Sequence, residues 1–175
     1  MKELLKRKRL RLQDYDYSTP GAYFITVCTH QKQKTLSRIV GAIHESPETE
    51  LTEYGKIVQY YIEQLSTRFS LSVDGYVIMP NHIHIILILS ETEDARAIRE
   101  SPLREQTRSK ISKAIGYVKM NASKQIRQKF GVAHVWQRGY HDHIIRNASD
   151  YESIAKYVAE NPLRWELDCF YSPEE

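Results

Sequence analysis

Two histidines interrupt an apolar segment, VIMPNHIHIILIL, at residues 77–89. An imidazole is costly to bury unless it is hydrogen-bonded or coordinated, so His82 and His84 need an explanation here. Side chains two residues apart on a β-strand point to the same side, which places both rings together. Such a pair can hold a divalent metal ion, or it can be two core histidines bonded to neighbouring groups. The pair alone leaves both interpretations open.

A second set of residues that could reach such an ion lies near the C-terminus. Tyr157 and Asn161 are four residues apart in AKYVAENP, and a helix would place them on one face. If that helix lies across the face with His82 and His84, a phenol and an amide oxygen approach the ion together. Tyr157 could equally be a half-buried aromatic residue whose hydroxyl reaches water.

Hydrophobic periodicity and turn signals indicate the elements that must position these residues. Strands are predicted at 21–29, 38–43, 71–79, 82–89 and 139–146, and helices at 50–69, 106–130 and 147–162. The first and second strands could form a hairpin. The helix caps that we expect are Thr52, Gly131, and either Asn147 or Ser149. The order of the remaining elements is strand, helix, strand, strand, helix, strand. We therefore expect an α+β fold of the ferredoxin-like split βαβ type, an antiparallel sheet with helices on one face.

The composition fits one folded domain. The chain has 175 residues, 41% of them hydrophobic and 27% charged, which is typical of a globular protein with a core of its own. Its longest apolar segment is far short of the roughly 20 residues that span a membrane. Cys28 and Cys169 match no metal or disulfide pattern. We expect a cytoplasmic protein without a membrane partner.

Positive charge is concentrated in two segments. The net charge of the chain is +3, whereas residues 1–12 carry +5 and residues 106–141 carry +8 with no acidic residue. Such segregation suggests a polyanionic partner on part of the surface. A solvated helix face together with a disordered tail would give the same pattern.

Three motifs, PNHIHI, VWQRGYHDHIIRN and YVAENPLRWELD, occur in one order along the chain. With them the sequence resembles the HUH single-tyrosine transposases, and specifically the REP-associated tyrosine transposases, from about Gly21 to Asp168. The HUH motif, histidine–hydrophobic residue–histidine, corresponds to His82, Ile83 and His84. The resemblance implies that Tyr157 is the nucleophile and that Asn161 completes the metal site. It divides the chain into a basic arm (1–20), a transposase domain (21–168) and a tail (169–175).

The resemblance also implies an activity. Proteins of this kind cut and rejoin single-stranded DNA next to a hairpin, formed by a palindromic repeat, through a 5′-phosphotyrosine intermediate and with Mg²⁺ or Mn²⁺ as cofactor. A tyrosine nucleophile keeps the energy of the phosphodiester in a covalent bond, so the strand can be resealed without ATP. The protein could act as a monomer or as a homodimer. Two alternatives stay open: an HUH endonuclease of the replication-initiator type, and a non-catalytic DNA-binding repressor on the same fold.

DNA binding would account for the charge segregation. Lysines along the helix 106–130 would follow the DNA backbone, which gives salt-sensitive and sequence-neutral binding. Aromatic and basic residues in WQRGYH suit the stacking of unpaired bases, although Trp136 could instead anchor the core. The arm KRKRLR could follow phosphates or enter a groove. The residues that we expect to contact DNA are Arg7, Arg9, Lys110, Lys113, Lys119, Lys124, Arg127, Trp136, Arg138, Tyr140, His141, His143 and Arg146.

Overall fold

A four-stranded antiparallel sheet forms the centre of the computed structural model, which describes residues 19–41, 48–90 and 109–171. Its strands are β1 (Gly21–Cys28), β4 (Ser72–Ile78), β5 (His82–Leu89) and β6 (His141–Ile145), in the spatial order β4-β5-β1-β6. This order is that of the ferredoxin-like arrangement, so the predicted α+β class is confirmed. Residues 1–18 of the predicted basic arm, which include Arg7 and Arg9, lie outside the described residues.

Two short strands form a separate sheet. β2 (Ser37–Val40) pairs with β3 (Glu48–Leu51) in antiparallel register. The predicted hairpin between the first two strands is therefore wrong. β1 has no edge left for β2, because it pairs with β5 on one side and with β6 on the other.

The helices begin and end close to the predicted caps. Their bounds are α1 (Glu53–Glu63), α2 (Leu65–Arg68), α3 (Lys110–Phe130) and α4 (Ala148–Glu160). The Thr52 side chain accepts a hydrogen bond from the backbone of Gly55, and Asn147 caps α4 by accepting one from Asp150. Gly131 ends α3 at φ 72°, a left-handed conformation that favours glycine.

The two faces of the sheet carry different helices. On β1, Tyr23 and Ile25 belong to the main core with α1 and α3, whereas Phe24 packs with Val158 of α4 on the opposite face. The expectation that the helices share one face is corrected in this respect. The alternation of side chains on β5 explains the division. Ile83, Ile85 and Leu87 point to α1 and α3, whereas His84 and Ile86 lie on the face of α4.

A 3-10 segment, Asn161–Leu167, continues directly from α4. Pro162 lies near its start, and the side chain of Trp165 is buried. The tight winding of this segment turns the chain back, so that Asp168 hydrogen-bonds Tyr157 and Asn161. Among the described residues, no helix is both long enough and apolar enough to cross a membrane.

Candidate active site

The two histidines of β5 lie side by side in the interior. His82 and His84 are 0% and 1% exposed, and their Nε2 atoms are 2.9 Å apart. β5 holds them rigidly, because it is hydrogen-bonded to β4 on one side and to β1 on the other.

The outer ring nitrogens of both histidines have polar partners. His82 Nδ1 lies 2.8 Å from the side-chain oxygen of Asn81, which can only accept, so this nitrogen carries the proton. The Nε2 atom of a neutral His82 therefore has a free lone pair directed at His84. Thr26, opposite His84 in the strand register, lies 2.8 Å from His84 Nδ1. Partners of this kind orient the imidazoles that hold metal ions.

Tyr157 of α4 lies directly against this pair. Its hydroxyl oxygen is 3.3 Å from His84 Nε2, and its ring meets the His84 ring at a centroid distance of 5.2 Å. Phe24 of β1 contacts both rings. Tyr157 stays 37% exposed, so part of the residue is open to solvent. The helix thus lies over the histidine face, as the sequence predicts.

Asp168 joins the cluster, although no sequence motif predicts it. Its Oδ2 atom accepts hydrogen bonds from the Tyr157 hydroxyl at 2.8 Å and from Asn161 Nδ2 at 2.9 Å. Its Oδ1 atom accepts one from the backbone of Phe170 at 2.7 Å. The carboxylate is therefore fixed between the phenol and the predicted amide ligand.

The donor atoms suit a divalent cation. One ligand atom each from His82, His84 and Asp168 lie within 4.8 Å of one another. Asn161 is 1% exposed, and its Oδ1 atom is buried without a hydrogen-bond partner, although its Nδ2 atom is bonded to Asp168. An unpartnered buried oxygen is unfavourable unless something else satisfies it, and the amide that carries this oxygen is bonded to the carboxylate of the histidine cluster. Such a mixed nitrogen and oxygen set fits the coordination preferences of divalent metals.

Burial controls the charge of these groups. It lowers the pKa of His82 to about 4 and, together with the neighbouring His82, lowers that of His84 to about 3. Both rings are therefore neutral at pH 7 and keep lone pairs for a ligand. Burial and then the hydrogen bond to Asp168 raise the pKa of Tyr157. Burial opposes ionisation of Asp168, but the hydrogen bonds that it accepts from Phe170, Asn161 and Tyr157 keep its pKa below the usual value.

Two of the basic residues predicted on α3, Lys119 and Arg127, line a groove that includes no residue of the Tyr157 cluster. The groove has a volume of about 420 Å³ and lies between α3 and the loop 133–138. Its lining includes Arg127, Trp136 and Arg138. The Trp136 ring packs partly on the main core, and its Nε1 atom is buried without a hydrogen-bond partner. Lys113 and Lys124 are exposed on α3, and Lys110 is half-buried at its start.

Lys119 lines the same groove but is engaged within the protein. Its ammonium donates hydrogen bonds to the carbonyl oxygens of Gln137, at 2.7 Å, and Gly139. Burial lowers the pKa of Lys119 to about 8. The side chain thus ties the loop 133–138 to α3, which the sequence pattern did not predict.

The remaining predicted contacts lie on or beside β6. His141 and His143 are exposed on the same sheet face as α4, and His143 Nε2 is 2.9 Å from the carboxylate of Asp150. The Tyr140 hydroxyl is 3.2 Å from the hydroxyl of Ser112, while Arg146 is exposed at the end of the strand.

Comparisons with known proteins identify relatives along most of the chain. It is 30% identical over 172 residues to an uncharacterized protein of Haemophilus influenzae, a match that covers 94% of this chain and 93% of that protein. A second Haemophilus influenzae protein, whose name places it among the REP-associated tyrosine transposases, is 26% identical, with coverage of 85% and 74%. The REP-associated tyrosine transposase of Escherichia coli is 22% identical, with coverage of 85% and 70%. No family model matches the chain.

A solved structure shares the fold. It is a REP-associated tyrosine transposase bound to a REP hairpin, with a TM-score of 0.53 and 18% identity over 89% of this chain and 74% of that one. Similarity to named transposases along most of their length, a shared fold and the ordered HUH and tyrosine motifs agree. The chain belongs to the REP-associated tyrosine transposase family.

Proposed function

We propose that this protein cuts and rejoins single-stranded DNA next to a hairpin, with Tyr157 as the nucleophile and a divalent cation at His82 and His84. The observation that carries the proposal is the position of the Tyr157 hydroxyl. It lies 3.3 Å from a buried imidazole nitrogen and shares Asp168 with a cluster that can accept a metal ion.

The chemistry assigned to Tyr157 is an in-line displacement at phosphorus. The phenolic oxygen forms a bond to the scissile phosphorus as the bond from phosphorus to the 3′ oxygen breaks. The products are a 5′-phosphotyrosine and a strand with a free 3′-hydroxyl, and attack by a 3′-hydroxyl reverses the step. The phosphodiester energy is kept, which permits rejoining without a cofactor such as ATP.

Loss of the phenolic proton must accompany the attack. An ordinary phenol has a pKa of about 10, and burial raises the pKa of Tyr157 above this value. Asp168 Oδ2 accepts the hydrogen bond of this hydroxyl at 2.8 Å, so the proton already points at a carboxylate oxygen. We propose that Asp168 orients the phenol of Tyr157 through this hydrogen bond. The proton that leaves the phenol is balanced by the one that the departing 3′ oxygen takes up.

The cation site would be formed by His82, His84 and Asp168, with the unpartnered oxygen of Asn161 as a further ligand. A bound divalent cation would polarise the scissile phosphate and offset the charge that develops on it. Two imidazoles with oxygen ligands suit Mn²⁺, and the carboxylate makes Mg²⁺ acceptable as well. We therefore retain Mg²⁺ or Mn²⁺ as the expected cofactor.

We propose that the exposed basic side chains of α3 bind the phosphates of the DNA backbone. Lys113, Lys124 and Arg127 are exposed on this helix. Arg127 and Arg138 line the groove between α3 and the loop 133–138. A structurally similar transposase is bound to a REP hairpin, and by analogy we assign a hairpin partner to this chain. Such backbone contacts would make binding strongly dependent on salt.

A covalent-trapping assay tests the proposal. The protein is incubated with a single-stranded oligonucleotide that contains a hairpin with unpaired flanks, in Mg²⁺, Mn²⁺ or EDTA. The label is placed at the 3′ end, because a 5′-phosphotyrosine retains the fragment on the 3′ side of the cut. We expect an adduct that survives denaturation and requires the cation. Tyr157→Phe should abolish it, whereas Tyr60→Phe should retain it, because Tyr60 is an exposed tyrosine of α1.

The assay also separates the alternatives. An adduct that persists in Tyr157→Phe would reject the assigned nucleophile. Hairpin binding without cleavage under any metal would support the repressor instead. Cleavage only at a replication-origin sequence, without rejoining of strands, would support an endonuclease of the initiator type.

A further inference from the structure

A strained turn follows β1 and projects Lys32 toward the site. Gln31 and Lys32 have φ angles of 53° and 56°, a left-handed conformation that is uncommon for residues other than glycine. The turn is held by the buried Thr29, whose hydroxyl oxygen is 2.8 Å from the carbonyl oxygen of Gln33, and by a backbone bond from His30 to Val135. Strained residues that a structure holds so firmly are often found at functional sites.

The turn faces Phe170, an aromatic residue fixed by its backbone. The Phe170 amide donates to Asp168, and its carbonyl oxygen accepts from Asn81 Nδ2 at 2.8 Å. The Phe170 ring lies 4.7 Å from the His82 ring, between centroids, and Lys32 Nζ lies 5.5 Å from the centre of the same ring. The main-chain bonds thus place an aromatic ring immediately beside the proposed cation site.

The next residue repeats the arrangement. The Tyr171 ring lies 5.3 Å from the Trp165 ring, and Lys34 Nζ lies 5.4 Å from the centre of the Tyr171 ring. Phe170 and Tyr171 are half-buried, and neither belongs to the core clusters of the described residues. Within that part of the chain, no ion pair involves Lys32.

Half-exposed aromatic rings beside lysines are the means by which proteins hold unpaired nucleotides, since bases stack on the rings and cations neutralise the phosphates. We propose that Phe170 and Tyr171, together with Lys32 and Lys34, form a binding site for the unpaired nucleotides that flank the phosphodiester cut at Tyr157. This proposal rests on the proposed function, whose substrate it positions. We call these four residues the flank site.

The flank site is separate from the groove of α3. None of its four residues lines that groove. The ring of Phe170 is near His82, whereas the groove is enclosed by α3 and the loop 133–138. The two surfaces do not compete for the same part of the DNA, so a strand whose flanking nucleotides lie at the flank site and whose cleaved phosphodiester lies at Tyr157 leaves the groove open to another part of the DNA.

Two substitutions in the turn distinguish the effect of the Lys32 charge on DNA binding from the effect of backbone strain. Lys32→Gly removes the cation and relieves the positive φ, so the fold is preserved. Gln31→Gly relieves the same kind of strain but leaves the cation in place. Binding of a fluorescein-labelled single-stranded hairpin oligonucleotide is measured by anisotropy at 4 or more KCl concentrations, chosen between about 50 and 200 mM.

We expect Lys32→Gly to reduce the slope of log K against log[KCl] by about 0.7, the value for one contact to a single-strand phosphate. Gln31→Gly should keep the wild-type slope. Lys156→Ala should keep it too, because Lys156 is an exposed lysine of α4 paired with Glu160. Urea unfolding of both glycine variants should show equal or higher stability than wild type.

Phe170→Leu tests the stacking. Leucine keeps an apolar side chain over His82 but offers no ring, so we expect roughly 5- to 150-fold weaker binding, the range for loss of one stacked base. An oligonucleotide with abasic positions in the flanks should bind wild type and Phe170→Leu equally. Binding by Phe170→Leu within twofold of wild type would overturn the stacking, and an unchanged slope in Lys32→Gly would overturn the phosphate contact.

The same samples distinguish this proposal from the proposed function. If wild type forms the covalent adduct while Lys32→Gly and Phe170→Leu bind like wild type, only the flank site is refuted. If wild type neither binds nor forms an adduct with the oligonucleotide, the proposed function fails and the flank site fails with it.

Discussion

The contact between Gly55 and Leu36 offers a sharp test of the packing that supports the histidine strand. Gly55 is buried on α1, and a Cβ atom there would lie 2.1 Å from the carbonyl oxygen of Leu36, a distance that real Cβ contacts essentially never show. That oxygen accepts a bond from the amide of Thr52, and the Leu36 amide donates to Pro80, two residues before His82. A methyl group at Gly55 would therefore push on the segment that leads into the site.

The magnitude can be worked out from these contacts. Overpacking costs about 1–3 kcal/mol, and loss of the bond between Thr52 and Leu36 adds about 1 kcal/mol. Alanine gains about 1 kcal/mol over glycine in a helix. Gly55→Ala should therefore lower the free energy of unfolding by about 1–3 kcal/mol. Gly116 of α3 provides the matched control, because a Cβ there meets nothing within 4 Å. Gly116→Ala should raise stability by about 1 kcal/mol.

Urea unfolding and thermal unfolding, each followed by circular dichroism and by tryptophan fluorescence, measure both variants. The change at Gly116 should raise the melting temperature by about 2–4 °C, while the change at Gly55 lowers it. Opposite signs for the same substitution in two helices are the expected result. A Gly55→Ala variant as stable as wild type would show that α1 does not approach Leu36 as closely as described, and the reasoning would fail.

Three further predictions concern the cap of α4, an ion pair and the cation. Asn147→Ala should cost about 1 kcal/mol in urea unfolding, whereas Asn147→Asp, which still caps, should cost much less. The pKa of Glu53, lowered to about 2 by hydrogen bonds from Lys129 and Lys56, gives stability that is present above the ordinary pKa of about 4.5 and is lost as the pH falls toward 2. Wild type should therefore lose stability relative to Glu53→Gln over this range, and parallel curves would contradict the ion pairs. Mn²⁺ at 100 times its dissociation constant should stabilise wild type by about 2.7 kcal/mol in a thermal-shift assay. His84→Ala should show no such response, and an equal response would exclude this site.

The sequence predicted the parts of the site that depend on local periodicity. The alternation on β5 placed His82 and His84 together, and the i to i+4 spacing placed Tyr157 of α4 near Asn161, which directly follows that helix. Both conclusions need only the geometry of a strand and a helix. The caps Thr52, Asn147 and Gly131 were predictable for the same reason, since capping depends on a few neighbouring residues.

The sequence did not predict what depends on three-dimensional packing. Asp168 reaches Tyr157 because a 3-10 segment of seven residues turns the chain back, and no periodic pattern marks such a segment. The burial of Lys119 between two carbonyl oxygens also depends on the path of the loop 133–138. The acid seven residues after Asn161, just past an Asn-Pro helix end, was the only available signal for Asp168.

The predicted domain boundary at Asp168 separates residues that act together in the fold. Phe170 packs on His82 and bonds Asn81, so residues beyond Asp168 are part of the site wall. The sequence offered no hydrophobic period there, because the hydrophobic residues of that short segment, Cys169, Phe170 and Tyr171, are three consecutive residues. A domain boundary drawn after Tyr171 would keep these aromatic side chains with the residues that they contact.

The two halves of the site are anchored very differently. β5 has a bonded strand on each side, whereas α4 has a single fully buried residue, Val158, in its 13-residue length. Burial of Val158 contributes about 1.5–3 kcal/mol, and the half-buried Tyr151, Ile154 and Ala155 add to it. α4 is therefore held by fewer buried side chains than β5, in which seven of the eight residues are buried. Under the proposed function, β5 would keep His82 and His84 in place, and α4 would be the element of the site that can shift together with Tyr157.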